Sequence, residues 1–173
     1  LPTRRQRQMC IRDSYRCLSK TIFSASSLIK ILNDEICETT TRGMFVTMIV
    51  GVYDKNKNEL LLSNAGHEPP LIFSKDGNFK TIDEAGPPLG IAPNFKFTEQ
   101  TISFKESSMY IFTDGITEMK NNNGEMLGQE GFQDYIKKYQ STPNNKRLQK
   151  MIEDLISSGR IQKDDLTIVT VDG

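Results

Sequence analysis

One histidine, three cysteines and a balanced charge leave this sequence of 173 residues few routes to chemistry. A lone His67 excludes a metal site built from several histidines. Cys10, Cys17 and Cys37 are odd in number and lack metal-ligand spacing, so reduced thiols in a cytoplasmic protein are the expectation. Lysine plus arginine and aspartate plus glutamate both count 22. No global field therefore recommends a nucleic acid or an anionic membrane as partner. No apolar run approaches the roughly 20 residues that span a bilayer, and no signal-peptide core is present, so membrane contact by this segment is not expected. Neither G-x-G-x-x-G nor G-x-x-x-x-G-K occurs, which disfavours a doubly wound nucleotide-binding fold. The length suits one domain with a real core.

What is present starts with a mismatch. Residues 4–13, RRQRQMCIRD, hold four arginines in ten positions and show no useful periodicity. A solvated tail and a nucleic-acid arm are the readings from charge. The string also resembles the translation of a sequencing adapter. Residues 1–14 are therefore expected to be non-native and set aside from fold reasoning, leaving 15–173 as the domain.

From Leu18, apolar residues recur at Ile22, Ala25, Ile29, Leu32 and Ile36, a helical spacing that SASS splits in two, with Ser24 as N-cap of the second helix. Strands are predicted over 44–54, 60–66 and 70–74, with a KDGN turn into FKTI. The Gly/Pro-rich stretch 86–94 reads as a loop, and 95–104 with 108–113 as a hairpin pair. Helices follow over 129–139 and 145–158, the second closed by Gly159, and LTIVTV is the last strand. Runs of strands followed by helices indicate an α+β protein with antiparallel sheets.

Two acids stand out in this order. Asp114 closes the apolar run MYIFT, and Asp164 immediately precedes LTIVTV. If those strands are antiparallel neighbours, both carboxylates reach one rim of the sheet, about 5 Å apart in strand spacing. Hard carboxylates so placed suit Mg²⁺ or Mn²⁺, and a pair of such ions activates water against a phosphoryl group. Glycine after Asp114 lets the chain turn away. Asp-Gly as a plain turn and Asp-Asp as a polar strand boundary are the alternatives from chemistry alone.

The wording around the acids narrows the choice. FVTMIVGVYD, LLSNAGHEPPLIF, GPPLGI, YIFTDGITEMKNNNGEMLG and DDLTIVTV occur in an order and spacing that resembles the bacterial metal-dependent (PPM-type) serine phosphatases of the SpoIIE and RsbU group. The resemblance runs from about residue 18 to the end. It implies a PPM-like sandwich of antiparallel sheets flanked by helices, and two divalent ions, Mn²⁺ or Mg²⁺. It implies Asp114 and Asp164 as metal ligands. The implied substrate is a phosphoserine or phosphothreonine protein, typically an anti-sigma-factor antagonist in a partner-switching pathway, with a sensor or receiver domain preceding the catalytic one. Glu118 and Asp165 are candidates to orient a ligand or bound water; Glu118 reads equally as a surface acid, and Asp165 better as a strand-edge cap. His67 in NAGHEPP is expected to fix its loop by hydrogen bonds rather than to act as acid or base. The family's G-D-Y-Y-D-like and D-x-S-G-H-G-like motifs, which supply further metal ligands and belong to its first strands, do not occur in this sequence. A chain missing those strands is expected to be inactive alone, and a non-catalytic phosphoprotein-binding module is the alternative reading.

Overall fold

The computed structural model describes residues 4–39, 45–83 and 85–173. In chain order the elements are α1 (Arg4–Leu18), α2 (Ala25–Thr39), β1 (Met48–Asp54), β2 (Glu59–Ala65), β3 (Leu71–Ser74), β4 (Phe79–Thr81), β5 (Gln100–Ser103), β6 (Ser107–Phe112), α3 (Asp114–Thr117), α4 (Gly128–Tyr139), α5 (Asn144–Ser157) and β7 (Ile168–Asp172). All pairings between these strands are antiparallel, which places the chain in the α+β class. Met44, the first residue of the predicted strand 44–54, lies outside the described residues. The chain divides into two compact units, residues 1–69 with 82–105 and residues 70–81 with 106–173.

In the first unit, helix α2 packs its stripe Leu28, Ile29, Leu32 and Ile36 against Val50, Ala65, Leu89 and Phe97. Side chains this deeply buried contribute about 1.5–3 kcal/mol each. The sheet runs in the order β1-β2-β5, with Met48 opposite Ala65 and Asp54 opposite Glu59. Ser24 caps α2 as expected, its Oγ accepting the Ser27 amide at 3.2 Å. The cap is reinforced from far away: Glu99 Oε2 accepts the Ser26 amide at 3.0 Å and the Ser24 hydroxyl at 3.0 Å. Asn33, fully buried, pins the loop at 86–94 by donating to the Ala92 carbonyl at 2.9 Å and accepting the Gly90 amide at 3.1 Å.

Two expectations change. The first helix ends rather than begins at Leu18, running back through the basic segment to Arg4. Ile11 and Leu18, a spacing of seven, both pack against the α2 core, a weak stripe that the arginines mask. The hairpin of 95–104 with 108–113 also does not form. Strand β5 pairs with β2, Leu60 opposite Ile102, whereas β6 pairs with β3, Leu71 opposite Tyr110. The chain changes sheets at Glu106, whose φ of 51° turns it sharply.

The second unit has the order β4-β3-β6-β7, so β6 is an inner strand. Its Tyr110 and Phe112 join Leu71, Phe73, Phe132, Ile136, Met151 and Leu155 in one core with α4 and α5. Phe112 and Phe132 have ring centroids 4.8 Å apart, close enough to add to the burial energy. Arg147 of α5, buried, donates to the Tyr110 hydroxyl at 3.1 Å and to Asp172 Oδ1 at 3.2 Å. It also meets Asn144 Oδ1. That group fastens α5 to the β6 start and the β7 end. Gly159, at φ 75°, terminates α5 as its sequence position suggested.

Backbone amide donation from Ser26 leads the interactions that hold the Glu99 carboxyl below its ordinary value, with burial opposing. The folded chain therefore binds this proton less readily than the unfolded chain. The stabilisation is complete above the unfolded carboxylate pKa of about 4.3 and is lost as pH falls through the lowered folded value. Glu99→Gln should cost about 1 kcal/mol at pH 7, in the range for lost helix caps. Urea unfolding at pH 7 and pH 3 checks this; the gap between wild type and variant should close at the lower pH.

Candidate metal centre

The inner strand β6 delivers its C-terminal end beside the start of β7, because Phe112 stands opposite Ile168 in the antiparallel ladder. Past that pair the ladder is extended by a side chain. Thr113 donates its amide to the Thr167 carbonyl at 3.1 Å. Its hydroxyl donates to the Asp165 carbonyl at 3.1 Å and accepts the Thr167 amide at 3.2 Å. One hydroxyl thus satisfies two backbone groups of the incoming strand. Asp114 follows at once, in the first turn of α3, where Glu118 N donates to its carbonyl at 2.8 Å.

Gly115 has a different task from the one its position suggested. Its φ is ordinary, so no left-handed turn is needed. A Cβ there would lie 2.4 Å from the Asp165 carbonyl oxygen and 3.5 Å from the Asp164 carbonyl carbon. The missing side chain lets α3 and the Asp164–Asp165 backbone touch. Sequence separation of fifty positions collapses to van der Waals contact at this point.

The structure therefore brings Asp114 and Asp164 to one end of the same strand pair, and both are exposed. Asp164 is oriented by its own neighbour, Asp165 N donating to its Oδ1 at 2.7 Å, while Gln162 Nε2 donates to its carbonyl at 3.0 Å. Neither carboxylate enters an ion pair among the described residues. Unneutralised hard oxygens fit a divalent cation such as Mn²⁺ or Mg²⁺ in kind. In number they fall short: among the described residues no group of three or more His, Cys, Asp or Glu is placed to hold a metal. Glu118 and Asp165 are exposed; the bonds drawn from them to the rim come from the Glu118 amide and the Asp165 carbonyl and amide.

His67 belongs to the first unit. There Asn64, buried, does most of the fastening: its Oδ1 accepts the His67 amide at 2.9 Å and its Nδ2 donates to the His67 carbonyl at 2.9 Å. The imidazole reaches only its neighbour, Nδ1 lying 3.2 Å from the Glu68 carbonyl. Gly66, at φ 67°, leaves room for the Pro88 ring, which a Cβ would meet at 2.5 Å. Thr113 and Asn64 were not picked out by reading the sequence. Their signal is the T of T-D-G, directly after an apolar run, and the N of N-A-G, one serine beyond another.

The family model for stage II sporulation protein E (SpoIIE) matches residues 8–172. Protein IcfG of Synechocystis is 30% identical over 174 aligned residues, covering 94% of this chain and 27% of that protein. Phosphoserine phosphatase RsbU of Bacillus subtilis is 26% identical, covering 93% of this chain and 49% of that one. The chain thus spans half or less of these relatives' length. The SiaA-PP2C domain of Pseudomonas aeruginosa superposes with a TM-score of 0.81 at 13% identity, over 95% of this chain and 68% of that one. Other solved neighbours of this fold were determined with magnesium or manganese.

Thr113→Val keeps the shape and deletes the hydroxyl, leaving the Asp165 carbonyl and the Thr167 amide each short of a partner. The cost should be about 1–3 kcal/mol, while Thr113→Ser should stay near wild type. Thermal unfolding of the two variants side by side measures it.

Proposed function

The chain belongs to the SpoIIE family of bacterial PPM-type, metal-dependent phosphatases, and we propose that its reaction is hydrolysis of phosphoserine or phosphothreonine on a regulatory protein. The observation that carries this reading is the Thr113 junction. It joins two sequence-distant strand ends so that Asp114 and Asp164, neither in an ion pair among the described residues, stand at one exposed rim.

These two carboxylates would hold the ion, Mn²⁺ or Mg²⁺. Once bound, such an ion lowers the pKa of a water and neutralises charge on a phosphoryl group. The remaining residues set the surroundings. Glu118 and Asp165, acceptors only when ionised, would orient water at the rim. The Thr113 and Thr117 hydroxyls are both spent on backbone carbonyls. In keeping with the family, the nucleophile in this reading is water, without a covalent enzyme intermediate. His67, held through its backbone by Asn64, is assigned no part in the proton transfer.

The substrate class follows from the family and from the name of the relative RsbU, a phosphoserine phosphatase. We read it as an anti-sigma-factor antagonist of a partner-switching pathway, in a cytoplasmic setting, with a sensor or receiver domain in the parent protein. A divalent ion takes about six oxygens, and two carboxylates supply few of them. This chain on its own is accordingly expected to bind Mn²⁺ weakly and to turn over poorly. That sparse donor set is also the one observation that favours a second reading, a phosphoprotein-binding module without catalysis.

Asp114→Asn and Asp164→Asn keep size and remove charge. In the domain supplied with its full set of ligands, each should weaken Mn²⁺ binding by at least about tenfold in calorimetry and reduce Mn²⁺-dependent hydrolysis of a phosphoserine peptide to background. Unchanged ion affinity in both variants would sink the assignment. Ion binding without turnover, when the domain is supplied with its full set of ligands, would select the binding module.

A further inference from the structure

Close to the acidic rim, the second unit turns outward a row of three side chains that the proposed chemistry does not use, Met126 and Ile161 exposed and Lys120 half-buried between them. Lys120 is bridged on one side to Met126 and on the other to Ile161, both antiparallel. With Ile161 it exchanges two backbone bonds, Ile161 N donating to Lys120 O at 2.8 Å and Lys120 N to Ile161 O at 3.4 Å. With Met126 it forms the non-hydrogen-bonded kind of pair, flanked by Asn121 N to Glu125 O at 3.0 Å and Leu127 N to Met119 O at 2.8 Å. Residues directly opposite in antiparallel pairs project from the same face. Met126, Lys120 and Ile161 therefore form one row. Their neighbours Met119 and Leu127 are buried on the opposite face, so the row faces outward.

The row is built and held. Asn121 Oδ1 accepts the amides of Asn123 and Glu125, each at 3.0 Å, and Arg160 donates to the Met119 carbonyl at 3.4 Å. It is nevertheless left open: Met126 is 55% exposed and Ile161 54%. Lys120 makes no ion pair among the described residues. Two large apolar side chains flanking an uncommitted cation make a recognition surface rather than a core.

Its position gives the surface a use. Ile161 begins a short strap whose far end is stitched to Thr113 through Asp165 and Thr167. Asp164 lies on this strap only three residues from Ile161, a reach of at most about 10 Å along the chain. We propose that the Met126–Lys120–Ile161 row is the docking surface for the polypeptide flanking the phosphorylated residue, and that it selects an acidic residue set between apolar ones. This rests on the phosphoprotein-phosphatase reading above. Continuity with the rim through the strap favours a substrate segment over a second copy of the chain.

The test is fluorescence anisotropy with the full chain in Mn²⁺, using a labelled peptide that carries phosphoserine beside a leucine–aspartate–leucine stretch, and its unphosphorylated copy. The double change Met126→Ser with Ile161→Ser should weaken both peptides equally, by roughly tenfold. Lys120→Gln should weaken both by several-fold and flatten the salt dependence. Asp114→Asn should remove only the phosphate-dependent part of the affinity. All three row positions face outward, and melting curves verify that the variants remain folded. Peptide affinities unchanged by the row variants, or no binding of either peptide, overturn the docking surface. Row variants that alter only self-association, leaving peptide affinity intact, overturn it in favour of a contact between copies. If the row variants act as expected and Asp114→Asn does not, the docking surface stands and the metal reading fails.

Discussion

Everything proposed for this chain depends on how two strand ends are joined beyond the last rung of their ladder. Ordinary β pairing would bring Phe112 beside Ile168 and then release both chains. The Thr113 hydroxyl prevents this, serving the Asp165 carbonyl and the Thr167 amide at once. An unpaired backbone group near a sheet end is normally surrendered to water. Here it is captured, and the segment carrying Asp164 is held against α3. Gly115 supplies the complementary condition, the absence of a side chain where the Asp165 carbonyl must pass.

The opposite end of the same strand pair is clamped by different chemistry. Arg147 reaches from α5 to Tyr110 and Asp172, and the Ser108 hydroxyl donates to Asp172 Oδ1 at 2.5 Å. A buried guanidinium is costly to desolvate, so its several partners are what make the arrangement tolerable. With β6 and β7 fixed at both ends, neither can slide in register. Stability at one end and a functional rim at the other are consequences of one clamped pair.

Much of this was legible in the sequence. Asp114 and Asp164 could be placed together because each adjoins an apolar run, one at its end and one at its start. Ser24 as a helix cap and Gly159 as a helix stop followed from local chemistry. What escaped detection was of another kind. Apolar spacing shows which face of a strand is buried, not which strand lies alongside, so the change of sheet at Glu106 looked like a hairpin. Hydrogen bonds to partners fifty or more positions away leave no periodic trace; Thr113 and Glu99 were therefore invisible as anchors. The histidine drew attention from Asn64, whose carboxamide secures the loop through the His67 backbone. Gly115 seemed a turn residue because Asp-Gly so often is one, and only the neighbouring carbonyl reveals the steric reason.

The central claim is that a divalent ion sits where the Thr113 junction gathers Asp114 and Asp164. Paramagnetic broadening of backbone amide signals during Mn²⁺ titration tests it most directly, since it maps the ion without requiring turnover. The account predicts that signals of residues 113–118 and 161–167 broaden first and that Asp114→Asn abolishes the effect. Broadening centred elsewhere, for instance on the acids of α2 at Asp34 and Glu38, or unchanged in the variant, would contradict it.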